Sequence, residues 1–231
     1  PILNKFLPGS SEPPMKGYDL IVFDWDGTIL DSAGAIVGAI QAACRDLDLP
    51  VPEASTARHV IGLGLGDALR QAVPHLAEAQ YPAMVERYRF HYLSADHELE
   101  LFSGIRELLA ELRGAGKNLA VATGKSRAGL DRALRHSGLA PLFSASRCAD
   151  ECFSKPHPQM LEELIGELGF EAGRTVMIGD TSHDLLMARN AGVDGVAVTY
   201  GAHPHGHLAE HGPLACLHDV EELASWLKNN A

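Results

Sequence analysis

Two pairs of carboxylates in the sequence directly follow apolar runs. The segment Phe23-Asp24-Trp25-Asp26-Gly27-Thr28 contains the first pair, and Asp180 and Asp184 form the second, in the segment GDTSHD. A buried carboxylate is costly unless it is paired with a cation or bound to a metal. The spacing therefore predicts that these acids have a chemical use.

Two further polar residues lie at or beside apolar runs. Thr123 occurs in VATGK and offers a hydroxyl, and the amide of Gly124 follows it at a predicted helix start, where phosphate oxygens can bind. Lys155 occurs in SKPHP. Taken alone, Lys155 is more typical of a surface lysine before a helix, and Lys125 fits a phosphate contact and a solvated lysine equally well.

Short apolar runs alternate with helical patterns along most of the chain. The runs at 18–23, 118–123, 175–180 and 195–200 are typical of strands buried on both faces. Helical patterns lie at 104–115, 126–137, 157–168 and 182–191. This alternation predicts an α/β fold with a Rossmann-like parallel sheet, whose strands all end at the same edge. The polar residues after the strands are therefore expected to converge.

The first connection is much longer than an ordinary crossover, since about 75 residues separate the first two runs. Helical patterns at 34–47, 53–61, 65–73 and 77–95 predict an inserted α-helical cap. Tyr81, Val85, Tyr88 and Tyr92 form a stripe that is more typical of cap core than of a ligand site. We expect hinges near 32–34 and 102–104. The predicted organisation is a mobile leader at 1–14, a core at 15–32 and 99–231, and a cap at 33–98.

Composition restricts the possible partners. The chain has 231 residues, 46% of them hydrophobic, and a formal net charge of −11. This charge disfavours nucleic acid and anionic membranes, whereas a small anionic substrate would need local positive charge. The absence of a spanning apolar run favours a soluble, cytoplasmic protein. We expect a monomer or a homodimer. The four cysteines, Cys44, Cys148, Cys152 and Cys216, are expected to be reduced thiols.

Four motifs, in this order, resemble those of phosphatases of the haloacid dehalogenase superfamily: DWDGT, Thr123 in VATGK, Lys155 in SKPHP, and GDTSHD. The resemblance extends from about Tyr18 to the C-terminal helix. It implies a core of the haloacid dehalogenase type with a helical cap, and a magnesium-dependent phosphomonoester hydrolase that acts on a small phosphorylated metabolite.

The resemblance also implies a role for each catalytic side chain. Asp24 would attack phosphorus and form an aspartyl-phosphate, while Asp26 would act first as the general acid and then as the base. Thr123 and Gly124 would bind phosphate oxygens. Lys155 would stabilise those oxygens and hold Asp24 ionised.

The metal implied by the resemblance is Mg²⁺, a hard cation that prefers oxygen ligands. Its ligands would be the Asp24 carboxylate, the Asp26 backbone carbonyl and the Asp180 carboxylate. Asp184 would bind directly or orient a water molecule, although an acid in the first turn of a helix is also favoured by the helix dipole alone.

Departures from related families favour hydrolysis. Asp26 argues against haloacid dehalogenases, which lack this acid, and against phosphonate hydrolases, which carry a small residue there. Sugar phosphomutases carry a His at the position that matches Ile36. The cap segment GLGLG at 62–66 and YGAHP after the last strand are similar to phosphoglycolate phosphatases. A phosphotransferase or phosphomutase, a pyrophosphatase and a non-enzymatic binding module remain the alternatives.

Two segments fall outside the four motifs. GLGLG is expected to bring cap backbone close to the substrate, or to serve only as an interhelical turn. The histidines at 203, 205, 207 and 211 lie in one segment that offers transition-metal ligands, although a surface loop near the active edge is the better interpretation.

Overall fold

The computed structural model describes residues 17–231, so the predicted leader at 1–14 lies outside the described residues. Within this range, six strands form one parallel sheet in the order β3-β2-β1-β4-β5-β6. The strands are β1 Leu20–Phe23, β2 Asn118–Thr123, β3 Ala145–Cys148, β4 Thr175–Gly179, β5 Asp194–Val198 and β6 Cys216–Leu217. The sheet confirms the predicted α/β Rossmann-like core.

Helices cover the sheet and fill the long first connection. Those between β1 and β2 are α1 Ala33–Asp46, α2 Ala54–His59, α3 Leu65–Ala72, α4 Tyr81–Ala95 and α5 Ile105–Gly114. The later helices are α6 Arg127–Ser137, α7 Gln159–Leu168, α8 Ser182–Asn190, α9 His205–Ala209 and α10 Val220–Asn230. None of these helices, which span the described part of the chain, is both long and apolar enough to cross a membrane.

The central strands are continuous apolar segments because the sheet is covered on both faces. Every residue of β1 and β4 is buried. Ile21 and Phe23 pack in a cluster with α5 and α10, whereas Leu20 and Val22 face a second cluster with α7 and α8. β1 pairs with both β2 and β4, so the residues that follow these three strands meet at one edge.

Helices α1 to α4, which we call the inserted helices, have an apolar core of their own. Ile40, Leu69, Met84 and Tyr92 are among its buried members, and Tyr81, Val85 and Tyr88 are partly buried against it. The chain enters and leaves this unit through two adjacent segments. Leu30 pairs with Leu101 in an antiparallel bridge, and the Phe102 amide donates to the Ile29 carbonyl at 3.1 Å. The inserted helices are therefore joined to the sheet by a narrow double connection.

Candidate active site

Asp24 directly follows β1 and lies in a buried acidic cluster. Carboxylate oxygens of Asp24, Asp180 and Asp184 all lie within 4.8 Å of one another. All three residues are fully buried. Asp180 directly follows β4, the strand next to β1, and Asp184 lies in the first turn of α8. The parallel register of the central strands thus brings together carboxylates that are about 155 residues apart in the sequence.

Lys155 is buried beside the same cluster. Its Nζ lies 2.9 Å from Asp24 Oδ1 and 2.6 Å from Asp184 Oδ1. Burial alone would lower the pKa of this ammonium, but Asp184 and Asp24 raise it above its ordinary value. Lys155 is therefore charged. Because its side chain is also buried, it is not the ordinary surface lysine that the sequence alone favours.

Asp184 has a structural contact as well. Its Oδ2 accepts hydrogen bonds from the Thr181 hydroxyl at 2.6 Å and the Thr181 amide at 3.1 Å. Thr181 is the N-cap of α8, and the Asp184 amide donates in return to the Thr181 hydroxyl at 3.4 Å, so the two residues form a capping box. Only Oδ1 of Asp184 is paired with Lys155. The structure therefore shows Asp184 as an acid that caps α8, while its support of a metal stays a prediction.

The cluster is short of positive charge. Within residues 17–231, Lys155 is the single basic side chain within ion-pair distance of the three carboxylates. Burial, together with repulsion from Asp184 and Asp180, raises the pKa of Asp24 well above its ordinary range, and Lys155 only partly offsets this rise. Burial, followed by repulsion from Asp184, raises the pKa of Asp180 to about 7.

This donor set fits a divalent cation. In the described part of the chain, neither Asp24 carboxylate oxygen accepts a well-directed hydrogen bond, although both are buried. Lys155 Nζ contacts Oδ1 alone, so Oδ2 still needs a partner, and three ionised carboxylates against one ammonium leave two negative charges to be offset. Carboxylate oxygens are the ligands that Mg²⁺ prefers. The structure thus supports a metal site formed by Asp24, Asp180 and Asp184, while the backbone carbonyl of Asp26 stays a predicted ligand.

Asp26 lies two residues beyond Asp24 and belongs to a different set of contacts. Its Oδ1 accepts a 2.6 Å hydrogen bond from the Ser32 hydroxyl and lies 3.0 Å from Lys125 Nζ. Asp26 lines a cavity of about 730 Å³ between the sheet edge and the inserted helices, as does Asp24. Both carboxylates of the first motif therefore reach the same cavity.

Thr123 ends β2 beside this cavity, and Gly124 directly follows the strand. Thr123 is buried and its hydroxyl accepts from the Lys125 amide at 3.2 Å, while Gly124 lines the cavity. A Cβ at Gly124 would overlap the Leu63 carbonyl oxygen and lie 2.6 Å from that of Gly62. The backbone of the GLGLG segment thus lies against the core, and the Gly64 amide donates to Ser154 Oγ at 2.8 Å. The expected approach of this backbone to the substrate stays a prediction.

Glycines pack closely against the Asp180 and Asp184 carboxylates, and sequence reasoning did not single them out. A Cβ at Gly27 or Gly201 would overlap the Asp180 carboxylate, and one at Gly179 would overlap that of Asp184. Gly27 also has a φ of 82°, which favours glycine. Gly27 in DWDGT was the sequence signal for such packing, since glycine commonly occurs where backbone approaches another group closely.

The histidine segment is only in part the surface loop that the sequence favours. His203 is buried, its Nδ1 accepts from the Ser182 amide at 3.0 Å, and its Nε2 therefore carries the proton and donates to the His59 carbonyl at 3.0 Å. Nitrogens of His59, His203 and His207 lie within 4.8 Å of one another. Because both His203 nitrogens already have partners, this group links the inserted helices to the core rather than offering a ready metal site. All four cysteines are free thiols, as expected.

Comparisons with known proteins agree with this geometry. The family model described as haloacid dehalogenase-like hydrolase matches residues 21–198. The chain is 37% identical over 211 residues to the probable phosphatase IndB of Dickeya dadantii, covering 88% of this chain and 91% of that protein. It is 36% identical over 188 residues to phosphoglycolate phosphatase of Caulobacter vibrioides, covering 78% and 79%. A crystal structure of a predicted phosphoglycolate phosphatase from Haemophilus somnus superposes with a TM-score of 0.82 at 26% identity, covering 90% of this chain and 97% of that one.

Proposed function

The chain belongs to the haloacid dehalogenase-like hydrolase family as one of its phosphatases, and we propose that it is a magnesium-dependent hydrolase of a small, phosphoglycolate-like phosphomonoester. The observation that carries the proposal is the buried cluster of Asp24, Asp180, Asp184 and Lys155 at the wall of a cavity that Asp26 also lines. The names of the two curated relatives support the same reaction class.

In the first step, Asp24 supplies the attacking oxygen. The carboxylate attacks phosphorus, the bond from phosphorus to the ester oxygen breaks, and the departing alkoxide takes a proton from Asp26. The Lys155 ammonium, 2.9 Å from Asp24, attracts the phosphoryl oxygens and favours the ionised nucleophile. We assign the remaining phosphoryl oxygens to the Thr123 hydroxyl and the Gly124 amide, because β2 ends at Thr123 and pairs with β1, the strand before Asp24.

In the second step, water attacks phosphorus of the aspartyl-phosphate. Asp26, now ionised, takes a proton from this water, and the bond from phosphorus to the Asp24 oxygen breaks to release inorganic phosphate. Asp24 and Asp26 thus return to their starting states. Mg²⁺, when held by Asp24, Asp180 and Asp184, would offset the charge of the carboxylates and of the phosphoryl group.

Ile36 favours hydrolysis over transfer to a second hydroxyl. Ile36 lines the cavity and cannot exchange a proton with an acceptor. Transfer of the phosphoryl group to a second hydroxyl would have no proton-exchanging side chain at position 36. Hydrolysis needs none there, because Asp26 can take the proton from the attacking water.

Phosphate release from a panel of phosphomonoesters, including phosphoglycolate and pyrophosphate, tests the proposal. We expect release with Mg²⁺, none with EDTA, none in Asp24→Asn, and a loss of at least about 10²-fold in Asp26→Asn. Asp131→Asn, a change in α6 outside the cavity, is the matched control and should retain activity. Wild-type protein that is inert across the panel with Mg²⁺ would contradict the proposal and favour a binding module.

A further inference from the structure

Lys125 makes contacts that connect the core to the inserted helices. It lies two residues after β2, and its side chain is only 9% exposed. Its Nζ lies 3.0 Å from Asp26 Oδ1 and donates a 2.9 Å hydrogen bond to the Tyr92 hydroxyl. The same ammonium lies 4.7 Å from the centre of the Tyr92 ring. One cation thus contacts a core carboxylate and a residue of α4 at the same time.

The contact restricts the orientation of Asp26. The Ser32 hydroxyl and the Lys125 ammonium both contact the same oxygen of Asp26, Oδ1. With Oδ1 held by two donors, Oδ2 is the oxygen left to exchange a proton with a leaving group or with water. Removal of either donor would allow the carboxylate to rotate away from the reacting atoms.

The other end of the contact depends on where α4 lies. Tyr92 is buried in the core of the inserted helices, and burial raises the pKa of its hydroxyl, so it accepts from Lys125 as a neutral phenol. Tyr88, one turn earlier, stacks on Tyr92 at 5.9 Å. The distance from Lys125 to Tyr92 can be 2.9 Å only while α4 lies over the turn after β2.

We propose that Lys125 is a positioning residue that orients Asp26 for proton transfer when Tyr92 of the inserted helices lies against it. The proposal rests on the proposed function, because it assigns Asp26 the transfer of a proton to the leaving group. It also gives Lys125 a role different from the phosphate contact and the solvated lysine that the sequence left open.

Leaving-group chemistry provides the test. The value of kcat/KM reports the steps up to departure of the leaving group, and p-nitrophenolate departs without a proton, whereas an alkoxide such as that of glycerol phosphate needs one. We expect Lys125→Met to lower kcat/KM by about 10²-fold for glycerol phosphate and by less than about 10-fold for p-nitrophenyl phosphate. Lys125→Arg keeps the positive charge, so its loss of kcat/KM for glycerol phosphate should be smaller than that of Lys125→Met.

Tyr92→Phe keeps the ring and removes only the hydroxyl, so it tests the coupling in a protein that should fold. The loss of kcat/KM in Tyr92→Phe should again be larger for glycerol phosphate than for p-nitrophenyl phosphate. Tyr88→Phe is the matched control, because the Tyr88 hydroxyl makes no hydrogen bond to Lys125 and its removal should affect both substrates alike.

The possible outcomes distinguish failure of the Lys125 proposal from failure of the proposed function. Equal losses on both substrates in Lys125→Met and Tyr92→Phe, in an active wild-type background, would overturn the role of Lys125 and leave the phosphatase proposal intact. A wild-type protein that hydrolyses neither ester with Mg²⁺ would overturn the proposed function and this role with it.

Discussion

Replacing Asp180 with Asn should stabilise the metal-free protein, although Asp180 is a proposed metal ligand. Burial and then the Asp184 charge raise the pKa of Asp180 from 3.8 to about 7. At about 1.4 kcal/mol per pKa unit, the ionised carboxylate costs about 4 kcal/mol of folding free energy. Because the pKa is higher in the folded state, this cost is present in full above about pH 7, shrinks as the pH falls and is absent below about pH 4.

The hydrogen bonds of Asp180 become weaker in the uncharged Asn side chain, and this offsets part of the gain. Asp180 accepts from the Thr28 hydroxyl at 2.9 Å and from the Ala202 amide at 2.7 Å. An Asn side chain can direct its oxygen to the Ala202 amide and its NH₂ to Thr28, whose hydroxyl can rotate and accept. We assign about 1 kcal/mol to the weaker hydrogen bonds of the Asn side chain. The metal-free Asp180→Asn protein should then be more stable than wild type by about 3 kcal/mol.

Urea unfolding at pH 8 measures this effect, in EDTA and in excess Mg²⁺. In EDTA the Asp180→Asn protein should be the more stable, while added Mg²⁺ should stabilise the wild type by RT ln(1 + [Mg²⁺]/Kd) and the variant much less. Asp131→Asn controls for the loss of a surface carboxylate. A less stable variant in EDTA, or equal stabilisation of both proteins by Mg²⁺, would refute the reasoning about this cluster.

Two further substitutions test the neighbouring contacts. Gly124→Ala should push the backbone of Gly62 away from the core, because the new Cβ would lie 2.6 Å from its carbonyl oxygen. Steady-state kinetics should then show a KM raised about 10-fold or more, and an unchanged KM would contradict this close approach. Lys155→Met leaves two buried carboxylates without their cation, so kcat should fall by at least about 10²-fold. Urea unfolding in EDTA should also show a loss of about 3–5 kcal/mol, and a variant as stable and active as wild type would contradict the role of Lys155.

The strands that the sequence predicts are the central ones, and the physical reason is burial. β1, β2, β4 and β5 lie inside the sheet and need continuous apolar segments. β3 and β6 were missed because they are the two edge strands. β3 has the sequence ASRC and β6 has only two residues, and an edge strand with one neighbour needs no apolar run.

The acidic cluster is predictable because parallel strands deliver their ends to one edge, whichever residues lie between them. The contacts of Asp26 are not predictable in this way. Its partners Ser32 and Lys125 come from the entry to the inserted helices and from the turn after β2. Their convergence depends on how the inserted helices sit over the sheet, which no local pattern encodes. The same holds for Gly179 and Gly201, whose closeness to carboxylates is a tertiary property.

The two carboxylates of the first motif therefore differ in what fixes them. Asp24 is held among groups from the core alone, since Asp180 follows β4 and Lys155 precedes α7. Asp26 is held by contacts that reach Tyr92 on α4 through Lys125. Movement of the inserted helices would leave Asp24, the proposed nucleophile, and its charge balance unchanged but would release Asp26, the proposed proton donor. It follows that substrates whose leaving group needs no proton should be the least sensitive to any substitution that displaces α4.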